Sequence, residues 1–382
     1  MTMRAAALAN PGLEDISALE IREKTGAESS FKYGIILFES EDLSSLFRLG
    51  YTSQSLHRLM FLLNTVPHSS KEAVIDAVKH SDFSDYISKD VLFSVECERW
   101  GTHEFSSADI EHESARIITG LTGGKFSRDN TNITVIILIS DSQCCVGIDL
   151  AGYDIGKRQY RLFITANEIR ATIAYSMLRI AGFSKKSSLL DPFSTSGTIT
   201  IEAALHASEL PVQHYSKHLL KFQRLAQYSK EMKEEVFDLP DKEAKANIAL
   251  SKGKILNVSD QFGYVSSAQK NSKIAGVKEM ISFSRIDSDW LDIKIEKSGI
   301  DMIVTNLPKI SDKNGAALKK ILATFFDQAG FVLSKKGVIV LSTIAPETVN
   351  AAAAEAGFIL KEKREVMQGK QELFIISLEK KQ

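Results

Sequence analysis

The sequence contains few of the residues that define specialised classes of protein. Among its 382 residues there are three cysteines, seven prolines and 8% aromatics, while 44% are hydrophobic and 25% are charged. These fractions exclude a collagen-like chain, a disordered chain and a scaffold built on disulfides. The cysteines (Cys97, Cys144 and Cys145) have neither the spacing of metal ligands nor the even number of a disulfide framework. We therefore expect a folded protein of the reducing cytoplasm.

Long hydrophobic runs are also missing. The longest runs, such as residues 133–139, fall far short of the roughly 20 residues that a membrane-spanning helix requires. The apolar stretch at the N-terminus ends at Asn10-Pro11-Gly12 and is too short for a signal peptide. The eight histidines form no cluster with cysteine and acidic residues. We expect neither a membrane partner nor a metal site.

Charge is unevenly distributed along the chain. Residues 1–160 hold 15 Lys and Arg against 23 Asp and Glu, whereas residues 161–382 hold 32 against 25. The balances of −8 and +7 add to the net charge of −1 and indicate a domain boundary near residue 160. A surplus of this size is usually a solvated face, so it does not by itself identify a nucleic-acid-binding protein.

The pattern of strands and helices changes near the same position. In the first half they do not alternate strictly, which is typical of an α+β region. From about residue 165, helices alternate with short apolar strands, and the first of these helices is expected over residues 167–181. This alternation predicts a mostly parallel sheet, with an antiparallel hairpin joined at Gln368-Gly369. Residues 209–253 interrupt the alternation and predict helices that cover this sheet.

Two strand ends in the second half carry candidate site residues. In the stretch 189–199, a strand, an acidic residue, a turn with glycine and a helix start follow one another, which suits a cofactor loop because the helix N-terminus offers free N–H groups. In the stretch 301–309, a side-chain amide at Asn306 stands beside a backbone fixed by Pro308, which suits the binding of an amine. An ordinary capped β–α turn and a strand-end turn are the alternatives.

Taken in order, these motifs resemble those of a known family. Asp191-Pro192-Phe193 with Ser196-Gly197-Thr198 resembles D-P-x-C-G-S-G-T, and Thr305-Asn306 with Pro308 resembles T-N-P-P-Y. Residues 93–110 resemble the core strand and helix of a THUMP domain. Over nearly its whole length the chain resembles the THUMP-domain class I S-adenosylmethionine-dependent RNA methyltransferases, and within them the tRNA guanine-N2 methyltransferases.

The resemblance implies an α/β fold built from three parts. An N-terminal ferredoxin-like part (1–65) and a THUMP α+β domain (66–160) would precede a Rossmann-like methyltransferase domain (161–382) with a mostly parallel sheet. It further implies S-adenosylmethionine as the cofactor, tRNA as the partner and direct methyl transfer to the exocyclic N2 of a flipped guanosine.

The resemblance also implies roles for individual residues. The side-chain oxygen of Asn306 and the backbone carbonyl of Leu307 would hold the target amine, within a catalytic motif that also contains Pro308 and Lys309. The implied cofactor-binding residues are Asp191, Phe193, Ser196, Gly197, Thr198, Ser259, Asp260 and Asp287. RNA contacts are expected at Arg99, Lys157, Arg158 and Arg161.

Three positions depart from the family pattern. Thr195 replaces the first glycine of the cofactor loop, and Ser259 stands where the family has an acid for the ribose hydroxyls, with Asp260 one residue later. Lys309 replaces the aromatic residue that stacks on the target base. A second hypothesis therefore stays open, in which the chain is a catalytically weak or inactive paralogue that binds RNA or a partner methyltransferase through the same fold.

Overall fold

Short runs of β-branched and small apolar residues build an eight-stranded sheet from the first part of the chain. The computed structural model describes residues 2–67, 70–140, 143–250, 253–309 and 315–381, without the side chains of residues 249, 250, 315 and 316. The strands are β1 (Met3–Leu8), β2 (Ser29–Lys32), β3 (Ile35–Ser40), β4 (Arg58–Val66), β5 (Leu92–Arg99), β6 (Lys125–Phe126), β7 (Ile133–Ser140) and β8 (Gln143–Asp149). Their order in the sheet is β2-β3-β1-β4-β8-β7-β5-β6.

In the described part of the chain, four α-helices belong to this first unit, which comprises residues 1–156 and 213–239 and also contains short 3-10 and π turns over 214–238. They are α1 (Glu14–Thr25), α2 (Leu43–Thr52), α3 (Lys71–Lys79) and α4 (Ser107–Thr122). Helix α4 begins with a capping box, in which the side chains of Ser106 and Asp109 each bond the other's backbone N–H. Alternate residues of β1 point to opposite faces of the sheet, so Ala5 and Ala7 enter one buried cluster while Ala6 and Leu8 enter another.

Residues 213–239 pack on this first unit, although the sequence analysis assigned them to the sheet of the second half. The ring of Phe222 stacks on Phe47 with 4.7 Å between centroids. The Nζ of Lys221 donates to the hydroxyls of Thr131 and Thr134, each at 2.7 Å. These contacts join residues about 90 to 175 positions apart, which no local pattern encodes.

The second unit comprises residues 157–212 and 240–382 and contains a seven-stranded sheet. Its strands are β9 (Leu189–Asp191), β10 (Ile255–Ser259), β11 (Ile281–Arg285), β12 (Ile300–Asn306), β13 (Leu333–Thr343), β14 (Phe358–Gln368) and β15 (Gln371–Lys380). The order is β11-β10-β9-β12-β13-β15-β14, and the first five strands are parallel. The last two form an antiparallel hairpin, so the predicted α/β class with a mostly parallel sheet is confirmed.

The helices of the second unit connect these strands. They are α5 (Ala171–Ile180), α6 (Thr198–Ser208), α7 (Leu239–Leu250), α8 (Phe262–Ile274), α9 (Gly315–Val332) and α10 (Pro346–Glu355). The sequence analysis expected α5 to begin at residue 167, but Asn167 has a φ of 61°, a left-handed conformation that a helix does not contain. Residues 165–170 form an irregular segment instead.

No helix within the described ranges is long and apolar enough to cross a membrane. All three cysteines are free and buried. Burial raises the pKa of the Cys97 thiol to about 12 and that of Cys145 to about 11, so both stay protonated and unreactive at neutral pH.

Candidate active site

Three neighbouring parallel strands of the second unit end at one cleft. β9, β10 and β12 run side by side, and their carboxyl ends open onto a cavity of about 370 Å³. This is the edge at which open α/β sheets bind ligands. Seven of the predicted cofactor and catalytic residues line the cavity: Phe193, Ser259, Asp260, Asp287, Asn306, Leu307 and Pro308.

Four other predicted cofactor residues lie behind the cavity wall. Asp191, Ser196, Gly197 and Thr198 are all buried. Gly197 has a φ of 84°, and a Cβ at this position would lie 2.8 Å from the Cβ of Ala268. Glycine is therefore required for the turn and for the close approach of α8. These residues shape the loop, and residues 192–195 between them, including Thr195, line the cavity.

Asp191 is a buried carboxyl at the end of β9. The hydroxyl of Thr305 donates to its Oδ1 at 2.6 Å. Burial raises the pKa of Asp191 to about 7, although hydrogen bonds from Thr305, Ser194 and the Phe193 N–H act in the opposite direction. Asp191 thus links the loop after β9 to strand β12, and its pKa of about 7 makes it titrate near neutral pH.

Both the nitrogen and the oxygen of the Asn306 side-chain amide form hydrogen bonds. Its Nδ2 donates to the backbone carbonyl of Asn167 at 2.8 Å, and its Oδ1 accepts from the hydroxyl of Ser342 at 2.7 Å. The backbone N–H of Leu307 donates to the carbonyl of Ser342 at 3.0 Å. The strand-end motif is therefore held by the neighbouring strand β13 and by the irregular segment before α5.

Lys309 is the predicted catalytic residue that is absent from the cavity lining. Its Nζ donates to the Oε1 of Gln371 at 2.6 Å, at the start of β15. The tip of the β14–β15 hairpin also contacts the segment before α5, because Gln368 donates to the carbonyl of Glu168 at 3.0 Å and accepts from the N–H of Arg170 at 2.7 Å. The hairpin tip thus fixes two borders of the cavity.

Several cavity residues were not predicted from the sequence. Ala166 lies just before the predicted helix 167–181 and Asn167 at its start, while Gln261 directly follows Asp260 and Tyr264 lies one helical turn after it. Position immediately after a strand-end motif is the signal that identifies Gln261. The others depend on how distant segments fold back on the sheet.

The predicted RNA-contacting cations lie in different environments. The side chain of Arg158 is fully buried and forms an ion pair with Glu202, with 2.9 Å between Nε and Oε1. This burial removes Arg158 from the set that can reach a phosphate. Arg161 pairs with Glu168 at 2.5 Å but keeps about a fifth of its side chain exposed.

The two remaining cations of this set are accessible to different degrees. Lys157 is exposed. Arg99 is half-buried in the first unit, where its Nε donates to the hydroxyl of Ser107 at 2.9 Å. Among the residues that the structure describes, no group of three or more His, Cys, Asp or Glu side chains is placed to hold a metal ion.

Comparisons with known proteins agree with this geometry. Residues 158–374 match the RMKL-like methyltransferase domain family, and residues 68–149 match the THUMP domain family. The tRNA (guanine(6)-N2)-methyltransferase of Methanocaldococcus jannaschii is 28% identical over 376 residues, covering 94% of this chain and 95% of the relative. The protein of the same name from Archaeoglobus fulgidus is 29% identical, covering 97% and 90%.

A solved structure shows the same fold over the whole chain. The crystal structure of SMU.472 complexed with SAH superposes with a TM-score of 0.79 at 17% identity, covering 100% of this chain and 98% of that one. The match to the methyltransferase domain spans more than half of the sequence. The chain therefore belongs to the RMKL-like methyltransferase family and carries a THUMP domain, as its sequence motifs predicted.

Proposed function

We propose that this protein transfers a methyl group from S-adenosylmethionine to the exocyclic N2 of a guanosine in tRNA. The observation that carries the proposal is the cavity itself, where the Asn306-Leu307-Pro308 motif lies in one space with the acidic ends of two neighbouring loops. The names of the two archaeal relatives, which align over nearly the entire chain, support the choice of tRNA and of guanine N2.

The residues that line the cavity fit the methyl donor. A volume of about 370 Å³ lies within the range of small-molecule sites. Phe193 and Ile321 supply apolar wall, while Asp260 and Asp287 supply carboxyl groups for ribose hydroxyls and for an adenine amino group. The family binds the ribose hydroxyls with an acidic residue at the position of Ser259, and here the neighbouring Asp260 would bind them instead. When bound, S-adenosylmethionine supplies an electrophilic methyl group on a sulfonium.

The role of the chain's own residues is to position the amine. Asn306 Oδ1 and the carbonyl of Leu307 are two acceptors for the two N–H bonds of the guanine amine. With both N–H bonds held, the nitrogen lone pair points toward the cofactor side of the cavity. In the reaction the amine nitrogen would gain the methyl group that the sulfonium supplies, and the proton that it then loses would pass to solvent. Positioning of this kind contributes several kcal/mol to catalysis without a general base.

We further propose that tRNA binds through individual cations with access to solvent rather than through overall charge, since the net charge is −1. Lys157 and Arg161 in the second unit and Arg99 in the first are the proposed phosphate contacts. We place the domain boundaries near residues 65 and 160 and the protein in the cytoplasm. The three free cysteines are compatible with that compartment.

A second candidate function has a specific observation in its favour. The ammonium of Lys309, which replaces the aromatic residue of the family motif, is engaged by Gln371. Thr195 also places a branched side chain at the cavity wall. Both features suit a paralogue that binds tRNA without methylating it.

Mass spectrometry of tRNA nucleosides distinguishes the two functions. We expect N2-methylguanosine to be lost from one tRNA position in a deletion strain and restored by the wild-type gene. Unmethylated tRNA incubated with the purified protein and S-adenosylmethionine should gain the same nucleoside. Binding of tRNA without any gain of methylated nucleoside would support the inactive paralogue instead.

A further inference from the structure

The two hydrogen bonds of the Asn306 amide show which side of the group carries the oxygen and which carries the nitrogen. The carbonyl oxygen of Asn167 can only accept, so the amide group that faces it at 2.8 Å is the NH₂. The other end, which faces the Ser342 hydroxyl at 2.7 Å, is then the oxygen, and Ser342 is the donor. If the amide rotated by 180°, its oxygen would face the Asn167 carbonyl, which is an acceptor opposed to an acceptor, and the Ser342 hydroxyl would have to change from donor to acceptor.

Ser342 is placed by the sheet to control this motif. It is fully buried in β13 and is the parallel register partner of Asn306 in β12. Its backbone carbonyl accepts from the Leu307 N–H at 3.0 Å, so the same residue fixes the backbone of the second proposed acceptor. A hydroxyl at this point of β13 therefore contacts the motif through both main chain and side chain.

The Asn167 carbonyl is held by its neighbours in the irregular segment. Asn167 has a φ of 61°. Glu168 next to it pairs with Arg161, and its carbonyl accepts from Gln368 at 3.0 Å. The N–H of Arg170 bonds the same Gln368 side chain. These contacts keep the carbonyl directed at Asn306.

We propose that Ser342 is a positioning residue that, together with the Asn167 carbonyl, keeps the Oδ1 of Asn306 available to the target amine. A carbonyl oxygen has two acceptor positions, and Ser342 occupies one of them. The other position is left for an N–H of the substrate. A flipped amide would present its NH₂ to the substrate amine and lose this hydrogen bond. The inference rests on the proposed function.

Replacement of the hydroxyl should slow methyl transfer without weakening binding. For Ser342→Ala we expect kcat to fall about tenfold or more, while KM for tRNA and Kd for S-adenosylmethionine change by less than about twofold. Ser342→Thr retains a hydroxyl and should recover most of kcat. Ser377→Ala is the matched control, because it removes another buried hydroxyl of the same sheet that is not bonded to Asn306, and it should leave kcat unchanged.

The backbone partner is tested by two changes at one position. Asn167→Gly keeps the carbonyl and tolerates the positive φ, so its kcat should be clearly higher than that of a variant that disfavours this conformation. Asn167→Val disfavours the positive φ and should lower kcat with KM little changed. Equal activity of both variants would show that the carbonyl direction does not matter.

A measurement without turnover separates this inference from the proposed function. In protein labelled with ¹⁵N-asparagine, the Asn306 side-chain NH₂ signal is identified by its loss in Asn306→Asp. Its exchange with water should be slow in the wild type and severalfold faster in Ser342→Ala. Unchanged exchange and unchanged kcat in Ser342→Ala would overturn the positioning role. Faster exchange in Ser342→Ala, in a protein whose wild type never methylates tRNA, would uphold the positioning of Asn306 and contradict the proposed function.

Discussion

At the scale of single residues, Asp191 combines burial with a position beside the catalytic strand. Because burial raises its pKa to about 7, the folded protein keeps this proton over a pH range in which the unfolded chain, with an ordinary value of 3.8, has lost it. The stabilising contribution of this group is present below about pH 4 and is lost as the pH rises to about 7.

Asp191→Asn should therefore flatten the dependence of stability on pH. In the wild type this group should lower the free energy of unfolding by on the order of 1 kcal/mol per pH unit between about pH 4 and pH 7. Asparagine does not ionise, and the Thr305 and Ser194 hydroxyls can reorient toward it. Urea denaturation at pH 5 and pH 7.5 measures the change, with exposed Asp327→Asn as the control. The same pH slope in the Asp191 variant and the wild type would refute the titration.

Residues at strand ends were the part of the site that the sequence could predict. Asn306, Ser259 and Asp287 follow short apolar runs, and parallel strands bring their carboxyl ends to one edge. The burial of Arg158 was not predictable from the sequence. Its partner Glu202 lies 44 positions away, and arginine and glutamate are residue types that usually lie on the surface. The same limit applies to Ser342, whose importance depends on strand order.

At the scale of elements, the loop after β12 and the β14–β15 hairpin act together. Lys309 bonds Gln371 across the two elements. A lysine cannot stack on a base as an aromatic ring does, although its ammonium can lie over a base or pair with a phosphate. The Lys309–Gln371 bond is thus where the two proposed functions differ.

Restoration of the family motif tests this difference. The double change Leu307→Pro with Lys309→Tyr should raise methyl transfer severalfold if the wild type is an impaired enzyme, because a ring then stacks on the flipped base. Gln371→Ala, which frees Lys309 without adding a ring, is the control and should give no increase. Tritium transfer from labelled cofactor to unmethylated tRNA is the measurement. An unchanged rate in the folded double variant would assign Lys309 to a different RNA contact.

The segment before α5 shows why a sequence pattern cannot predict the residue at which a helix begins. The alternation of helices and strands from about residue 165 predicted a helix over residues 167–181. The structure begins the helix at Ala171, because Gln368, some 200 positions away, bonds Glu168 and Arg170 in an extended conformation. The mostly parallel sheet and its terminal hairpin were predictable, because alternation of elements is a local property.

At the scale of the whole molecule, the division of charge and the division into units do not coincide. The acidic first half and the basic second half suggested one boundary near residue 160. Residues 213–239 nevertheless pack on the first unit, through the Phe47–Phe222 stack and the bonds of Lys221. Such a return of the chain depends on contacts that only the folded structure brings together.

Binding of tRNA should depend on a few exposed cations. Lys157→Ala with Arg161→Ala should weaken binding and reduce the slope of log K against log salt by about two, one for each lost phosphate contact. Lys335→Ala, an exposed lysine near the amino end of β13, should leave the slope unchanged. Arg158→Ala should lower stability instead, since it removes the positive charge that pairs with the buried Glu202 carboxyl and leaves that carboxyl with neutral donors such as the Tyr160 hydroxyl. Filter binding over a range of salt concentrations measures the slopes, and an unaltered slope in the double variant would place the RNA surface elsewhere.

The most direct test of the account is a single-turnover assay of Asn306→Ala with bound cofactor and unmethylated tRNA. Loss of the acceptor should lower the rate of methyl transfer by about 100-fold or more, while affinities for S-adenosylmethionine and tRNA stay within about twofold of wild type. Asn247→Ala, which removes an amide that bonds Glu209 and Lys185 and does not line the cavity, is the control and should retain the wild-type rate. Methyl transfer by Asn306→Ala at the wild-type rate would contradict the central claim that this amide positions the target amine.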